Sequence, residues 1–191
     1  MEREDKIILI RVPCGEHLEV VRLNDEESKS SSSLSNLNSA APKSYQFFGS
    51  YAHSIDEKGR LIVPNSYRDA LGKPFTIGPT RDFQGIALYP DDVYDQLLAD
   101  IVSMNQRKPV VQKFAMQFSK LTYREIQPDS QGRLLLPAKL RQRMLGDAKE
   151  LEISGALDYI RVVSSEKADD EDMFFTDNQE EILEQLGNLD G

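Results

Sequence analysis

One sequence pattern occurs twice in this chain, and it constrains the fold more than any other feature. Six residues are repeated, and each member of the second set lies 73 positions after its counterpart. The first set is Asp56, Gly59, Arg60, Leu61, Pro64 and Arg68, and the second is Asp129, Gly132, Arg133, Leu134, Pro137 and Arg141. A constant offset across six identities indicates that one supersecondary unit is built twice.

Each copy predicts the same local order of elements. An aspartate can accept hydrogen bonds from backbone amides ahead of it, and a glycine can adopt a positive φ, so residues 56–59 and 129–132 predict hairpin turns. The strand after each turn ends at a proline. Asn65 or Ser66 is expected to cap the short helix that follows in the first copy, and Gly72 to end it.

Two such copies predict an α+β fold. A unit of about 45 residues is close to the lower limit for an independent core, and its sheet would have unpaired edges. Two copies can interlock, each supplying strands to the other's sheet, in a closed or nearly closed small barrel with pseudo-twofold symmetry. Between the copies, apolar residues at helical spacing predict two outer helices packed on the core: Val93, Leu97, Ile101, Val110, Phe114 and Phe118.

The chain is expected to have four parts. Residues 1–46 form an extension with strands at 6–12 and 17–23, followed by a serine-rich linker expected to be flexible. Residues 47–119 hold the first repeat with the helical insert, and residues 120–165 hold the second. Residues 166–191 form an acidic tail, predicted to begin disordered and to contain one short helix over 180–186.

The charge is unevenly distributed. The formal net charge is −9, and residues 166–191 alone contribute −9, because they hold ten carboxylates and one lysine. Residues 47–165 carry +2. A weakly basic body can bind a polyanion if its cations share one face, so the overall charge does not exclude nucleic acid.

Several classes of function are not supported by the sequence. Two histidines and the single Cys14 provide no zinc-ligand spacing, and neither a Walker nor a dinucleotide glycine motif is present. We therefore expect no catalytic residue, metal or cofactor, no small-molecule substrate and no enzymatic activity. The lone cysteine and the lack of a long apolar run favour a cytoplasmic protein with no membrane partner.

The repeated turns are the candidate functional sites. Arg60 offers a planar fork suited to phosphate or a guanine edge, and Lys58 adds a point charge. Alternatively, the aspartate and arginine of each turn form an internal ion pair that only locks the hairpin, and both roles can hold together. Arg68 and Arg141 are expected to have a packing or interface role, and His53 to be half-buried.

These motifs resemble a known family. The segments FFGSY at 47–51, DEKGRLIVP at 56–64, LYP at 88–90 and DSQGRLLLP at 129–137 are similar to the MraZ family of bacterial transcriptional regulators, within the AbrB/SpoVT-like superfamily. The resemblance covers residues 47–165. It implies a double-split β-barrel made of two fused repeats of the swapped-hairpin kind with flanking helices.

The same resemblance implies a function. It suggests a nucleoid-associated ring oligomer that binds double-stranded DNA at short promoter repeats of the division and cell-wall gene cluster. The contacts would be made by Lys58 and Arg60, with Arg133 as their second-copy equivalent. The chain departs from the family in residues 1–46, in Gln131 where the first copy has Lys58, and in its acidic C-terminal part. That acidic part favours an alternative, an antitoxin-like or adaptor module that binds a basic protein.

Overall fold

The computed structural model of the chain describes residues 7–11, 18–22 and 46–188. The chain divides into two compact units, Met1–Lys43 and Ser44–Gly191. In the first unit, the two predicted strands are present as β1 (Ile7–Arg11) and β2 (Leu18–Arg22). They pair antiparallel. The expected linker lies outside the described residues.

The second unit contains both repeats in the predicted order. The first repeat comprises β3 (Ser50–Ser54), β4 (Arg60–Ile62), α1 (Asn65–Leu71), β5 (Phe75–Pro79) and β6 (Ile86–Tyr89). The insert comprises α2 (Asp91–Ser103) and α3 (Pro109–Lys120). The second repeat comprises β7 (Tyr123–Ile126), β8 (Arg133–Leu135), α4 (Ala138–Leu145), β9 (Glu150–Gly155) and β10 (Ile160–Ser164). The chain continues into α5 (Ser165–Asp177) and α6 (Gln179–Gly187).

Prolines separate the short strands from the helices of both repeats. Pro64 precedes α1 and Pro137 precedes α4. Proline has no N–H for a strand ladder, yet its fixed φ suits the start of a helix. The predicted side-chain cap of α1 is wrong, because the helix already begins at Asn65 and has no side-chain cap hydrogen bond.

The sheet arrangement is symmetric with respect to the two repeats. Six antiparallel strands lie in the order β3-β9-β10-β6-β5-β7, and β4 pairs with β8 as a separate two-stranded ribbon. Exchanging each strand for its counterpart in the other repeat reverses this order and leaves it otherwise unchanged. The first strand of each repeat pairs with the other repeat, so the expected interlocking is present.

The α+β class is confirmed, but closure of the barrel is not. Among the described strands, the six-stranded sheet and the β4–β8 ribbon are separate hydrogen-bonded sheets. β3 and β7 are the two outer strands of the larger sheet. The ribbon meets that sheet through side chains, since Leu61 and Leu134 belong to the same apolar core as Ile77 and Ile153.

The helices of the insert cover the other face of the sheet. Ala87 and Tyr89 of β6 pack with Leu97, Ile101 and Phe118 of α2 and α3, so β6 is buried on both faces. The predicted core stripe is therefore confirmed for most of its members. It is wrong for Val110, at the start of α3, whose exposed fraction is 69%.

The acidic tail is helical where the sequence predicted disorder. The hydroxyl of Ser164 accepts a hydrogen bond from the backbone amide of Lys167 (3.3 Å) and caps α5. Ala168 is buried. Both carboxylate oxygens of Glu171 accept hydrogen bonds from the guanidinium of Arg161 (2.7 Å each). These contacts attach α5 to the body, and they offset the repulsion among its carboxylates.

Candidate nucleic-acid interface

The aspartate of the first turn fixes the turn's backbone. The backbone amide of Asp56 donates to the carbonyl of Arg60 (2.9 Å), and the carbonyl of Asp56 accepts from the amide of Gly59 (2.9 Å). Its Oδ1 also accepts from the backbone amides of Lys58 (3.0 Å) and Arg60 (2.8 Å). The turn is therefore closed by main-chain and side-chain bonds together.

The remaining carboxylate oxygen orients the arginine. Oδ2 of Asp56 lies 2.7 Å from Nε and 2.7 Å from Nη2 of Arg60. A guanidinium has five N–H donors, so this pairing leaves others directed elsewhere. The Arg60 side chain is 32% exposed, which places it at the surface with its orientation fixed.

The second turn repeats this geometry. Oδ1 of Asp129 accepts from the amides of Gln131 and Arg133 (2.9 Å each). Its Oδ2 lies 2.6 Å from Nε of Arg133, whose side chain is 38% exposed. Internal ion pairs therefore exist in both turns, and the arginine of each remains open to solvent. The prediction of hairpins is wrong, because the two strands that flank each turn lie in different sheets: β3 pairs with β9 and β4 with β8.

Both aspartates are held in their ionised form. Hydrogen bonds from the backbone amide and then the side chain of Arg60 lower the pKa of Asp56 below its ordinary value, and Arg133 lowers the pKa of Asp129 in the same way. A hydrogen bond donated to a carboxylate favours its charged form. The turns therefore keep this geometry at neutral pH.

The helix arginines of the motif lie across the repeats. A Cβ on Gly59 would overlap the guanidinium of Arg141, and a Cβ on Gly132 would overlap that of Arg68. Arg68 also donates from Nε to the carbonyl of Val63 (2.7 Å). Each helix therefore packs its arginine on the turn of the other repeat, which is the packing role expected from the sequence, in a crossed arrangement that the sequence did not reveal.

The ribbon brings the two turns onto one surface. In the β4–β8 pairing, Leu61 lies opposite Leu134, its own counterpart, and both are buried. Side chains alternate between the faces of a strand, so residues 60, 62, 133 and 135 share the outer face. Arg60 lies opposite Leu135, and Ile62 lies opposite Arg133.

This outer face brings together two of the predicted contact residues. Arg60 and Arg133 are diagonal neighbours on it, which in an antiparallel pair corresponds to about 7–8 Å between Cα atoms. Lys58 is exposed in the first turn, next to this face, and Gln131 is exposed at the same point of the second. The two turns are thus alike in backbone, and they differ in the side chain at this point, a lysine in the first and a glutamine in the second.

Two aliphatic residues of this face were missed by the sequence reasoning. Ile62 and Leu135 are exposed by 46% and 60%, respectively, although both were taken only as strand residues. Strand alternation could have found them, since burial of Leu61 and Leu134 requires the next residue to point outward. The face therefore carries two arginines and two apolar side chains.

Other kinds of site were sought in the part of the chain that the structure describes. There, no group of three or more histidine, cysteine, aspartate or glutamate residues could hold a metal ion. No helix there is both long and apolar enough to span a bilayer. His53 is half-buried in β3, as expected.

Comparison with known proteins identifies the family. A family model described as "MraZ protein, putative antitoxin-like" matches residues 46–116. The chain is 31% identical over 146 residues to a protein of Lachnoclostridium phytofermentans, an alignment covering 75% of this chain and 96% of that protein. It is 30% identical over 148 residues to a protein of Lactobacillus gasseri, covering 75% and 99%.

A third relative, from Mycobacterium ulcerans, is 34% identical over 116 residues, which cover 61% of this chain and 79% of that protein. All three relatives carry the name "Transcriptional regulator MraZ". The resemblance drawn from the motifs is therefore confirmed, as is the expectation that the chain is not an enzyme. The chain belongs to the MraZ family of transcriptional regulators.

Proposed function

We propose that this chain regulates transcription by binding double-stranded DNA with the outer face of the β4–β8 ribbon. Lys58 and Arg60 of the first turn make the main contacts, and Arg133 makes a secondary one. The observation that carries this proposal is the pair of exposed guanidinium groups on one face, each held in place by an aspartate.

The physical basis is preorganisation of charge. Most of the affinity of a DNA-binding protein comes from neutralising phosphates and releasing their counterions. A flexible arginine loses side-chain entropy when it binds, whereas Arg60 is already ordered by Asp56 at 2.7 Å. Its planar fork can meet a phosphate or a guanine edge with two parallel hydrogen bonds.

The two turns contribute unequally. The first presents Glu57 and Lys58 where the second presents Ser130 and Gln131. Lys58 supplies a second cation beside Arg60, whereas Gln131 supplies a neutral donor and acceptor beside Arg133. We therefore assign the larger share of phosphate binding to the first turn.

A single ribbon offers few charged contacts, so specificity is proposed to come from several copies. A ring of subunits engaging successive promoter repeats makes each later contact intramolecular and raises the apparent affinity. The relatives' printed name, the repeated sequence motifs and the interlocked repeats support such a regulator, with a double-split barrel as its fold. Its place would be the cytoplasm, at the nucleoid, and its target the promoter of the division and cell-wall genes.

The test is a titration of wild-type and Arg60→Ala protein against DNA from the region upstream of the chain's own gene. Losing a base-reading or phosphate-binding arginine costs about 1–3 kcal/mol, or about 5- to 150-fold in affinity. Arg81→Ala is the matched control, because Arg81 is also an exposed arginine paired with an aspartate, Asp158 at 3.4 Å. Wild-type affinity in the Arg60→Ala protein would refute the proposal.

A second candidate function is an antitoxin-like module. Two observations favour it: the description of the matching family model and the acidic helices α5 and α6. In that case, protein lacking the tail loses a basic partner protein in a pull-down. A DNA-binding regulator lacking the tail keeps the ribbon of each chain and therefore the DNA contacts of a single copy.

A further inference from the structure

The acidic tail exposes an apolar surface. On α5, Met173, Phe174 and Phe175 are 49–64% exposed, and on α6, Leu183 and Leu186 are 54–55% exposed. The start of α5 is fixed to its own body by Ala168 and by the pairing of Glu171 with Arg161. Five large apolar side chains exposed within one short segment are more than a solvated helix needs, and they suggest an interaction surface.

This surface is surrounded by negative charge. Between them, α5 and α6 carry nine carboxylates and one lysine, a net charge of −8. Two such tails repel one another, so a basic partner surface fits this segment better than a second tail does.

A basic apolar groove lies elsewhere on the same body. The groove has a volume of about 640 Å³ and is lined chiefly by Phe83, Val110, Phe114 and Met144, with Lys113 and Arg143 beside them. The helices α3 and α4 that border it contain five cations and no carboxylate: Lys113, Lys120, Lys139, Arg141 and Arg143. This groove explains why Val110 belongs to an apolar stripe and yet is not covered by the core.

We propose that the aromatic end of α5, together with α6, docks in the α3–α4 groove of a second copy of this chain. Within one copy the tail phenylalanines and Val110 are all exposed, so the chain does not satisfy either surface by itself. The net charge of −8 on the tail helices and the cations Lys113 and Arg143 of the groove attract the two surfaces. Two phenylalanines, at about 150–250 Å² each, supply the apolar centre of the contact.

The contact joins two different surfaces, so it is a head-to-tail contact. Such contacts close into rings when the rotation between subunits allows it. This inference rests on the ring in the proposed function and names the surfaces that hold it together.

The first test is the mass of the assembly without DNA, measured by native mass spectrometry. Wild-type protein is expected as a multiple of the 21.7 kDa chain. Phe174→Ser/Phe175→Ser and, separately, Lys113→Glu/Arg143→Glu are each expected to reduce it to a single chain. Phe48→Ser is the matched control, since Phe48 is 60% exposed and lies on neither surface; it should keep the wild-type mass.

A mixing experiment shows whether the two surfaces meet each other. The tail variant keeps an intact groove, and the groove variant keeps an intact tail. Mixed in equal amounts, they are expected to form pairs of one chain of each kind and nothing larger. All four substituted side chains are exposed, so far-UV circular dichroism should show both variants folded.

Three results would overturn the proposal: a single-chain wild type, variants that keep the wild-type mass, or variants that fall apart but do not pair when mixed. Arg60→Ala separates this inference from the DNA-binding proposal. That substitution should weaken DNA binding and leave the mass unchanged, so each idea can fail without the other.

Discussion

The contact between Gly59 of one repeat and Arg141 of the other predicts how much an alanine at position 59 lowers the free energy of unfolding. Gly59 has a φ of 79°, and alanine in a left-handed conformation costs about 1–2 kcal/mol. The new Cβ would also overlap the Arg141 guanidinium, and forcing that side chain from its rotamer costs about 0.5–1.5 kcal/mol. Gly59→Ala should therefore lower the free energy of unfolding by about 1.5–3.5 kcal/mol.

A double-mutant cycle separates the two parts of that cost. Arg141→Met keeps much of the side-chain stem and removes the guanidinium. In that background Gly59→Ala should cost only the backbone strain, about 1–2 kcal/mol. The double variant should thus be more stable than the sum of the single effects by about 1 kcal/mol, within the range found for residues in contact.

The chain contains its own control, because Arg68 packs on the other turn. Gly59→Ala combined with Arg68→Met should be additive within about 0.5 kcal/mol, as expected for residues without a shared contact. Urea denaturation followed by circular dichroism gives all the values. If Gly59→Ala proves additive with Arg141→Met as well, the crossed packing is not the cause of the cost.

Three further predictions concern two charged side chains and one helix cap. Lys58→Ala should reduce the slope of the logarithm of the DNA-binding constant against the logarithm of the salt concentration by about 1, because one phosphate contact is lost. Gln131→Ala should leave that slope unchanged. Equal slopes in the wild type and both variants would exclude Lys58 from the interface. Hydrogen bonds from Arg161 lower the pKa of Glu171 in the folded protein. Their stabilisation of α5 is therefore fully present above the pKa of the unfolded state and is lost as the pH falls through the pKa of the folded state. Glu171→Gln should lose helix content at neutral pH, and an acid titration of the wild type should show the same loss. Ser164→Ala should destabilise α5 by about 1 kcal/mol through its lost cap, measured by hydrogen exchange of the α5 amides, while Ser165→Ala should not.

Much of the fold could be predicted because the repeat encodes it. A constant offset of 73 residues between two turns of the same pattern indicates two equivalent units. Small units with open sheet edges are stabilised when their strands pair across the repeats. The strand order of the larger sheet and the pairing of Leu61 with Leu134 follow that logic. The repeat does not determine whether the strands close into one barrel, since closure depends on how the β4–β8 ribbon meets the six-stranded sheet.

Several of the failures share one cause, which is dependence on distant residues. Composition alone predicted a disordered start of the tail, but the bidentate pairing of Glu171 with Arg161 joins residues on different elements. Helical spacing placed Val110 in an apolar stripe correctly, but spacing does not say what covers the stripe. The crossed arginines were missed for the same reason, since only the assembled structure shows which glycine each one covers.

The residues that the two turns share each have a structural task. Asp56 closes its turn, Gly59 makes room for Arg141, and Leu61 meets its counterpart in the core. The presence of an arginine at this position in both copies, Arg60 and Arg133, is explained by the ion pairs alone and is therefore not evidence for a contact with DNA. A contact with DNA is favoured instead by the partial exposure of Arg60 and by the position that differs between the copies, Lys58 in the first and Gln131 in the second. Fusion of the two copies permits that difference, because one turn can present a lysine to DNA while the other continues to support the fold.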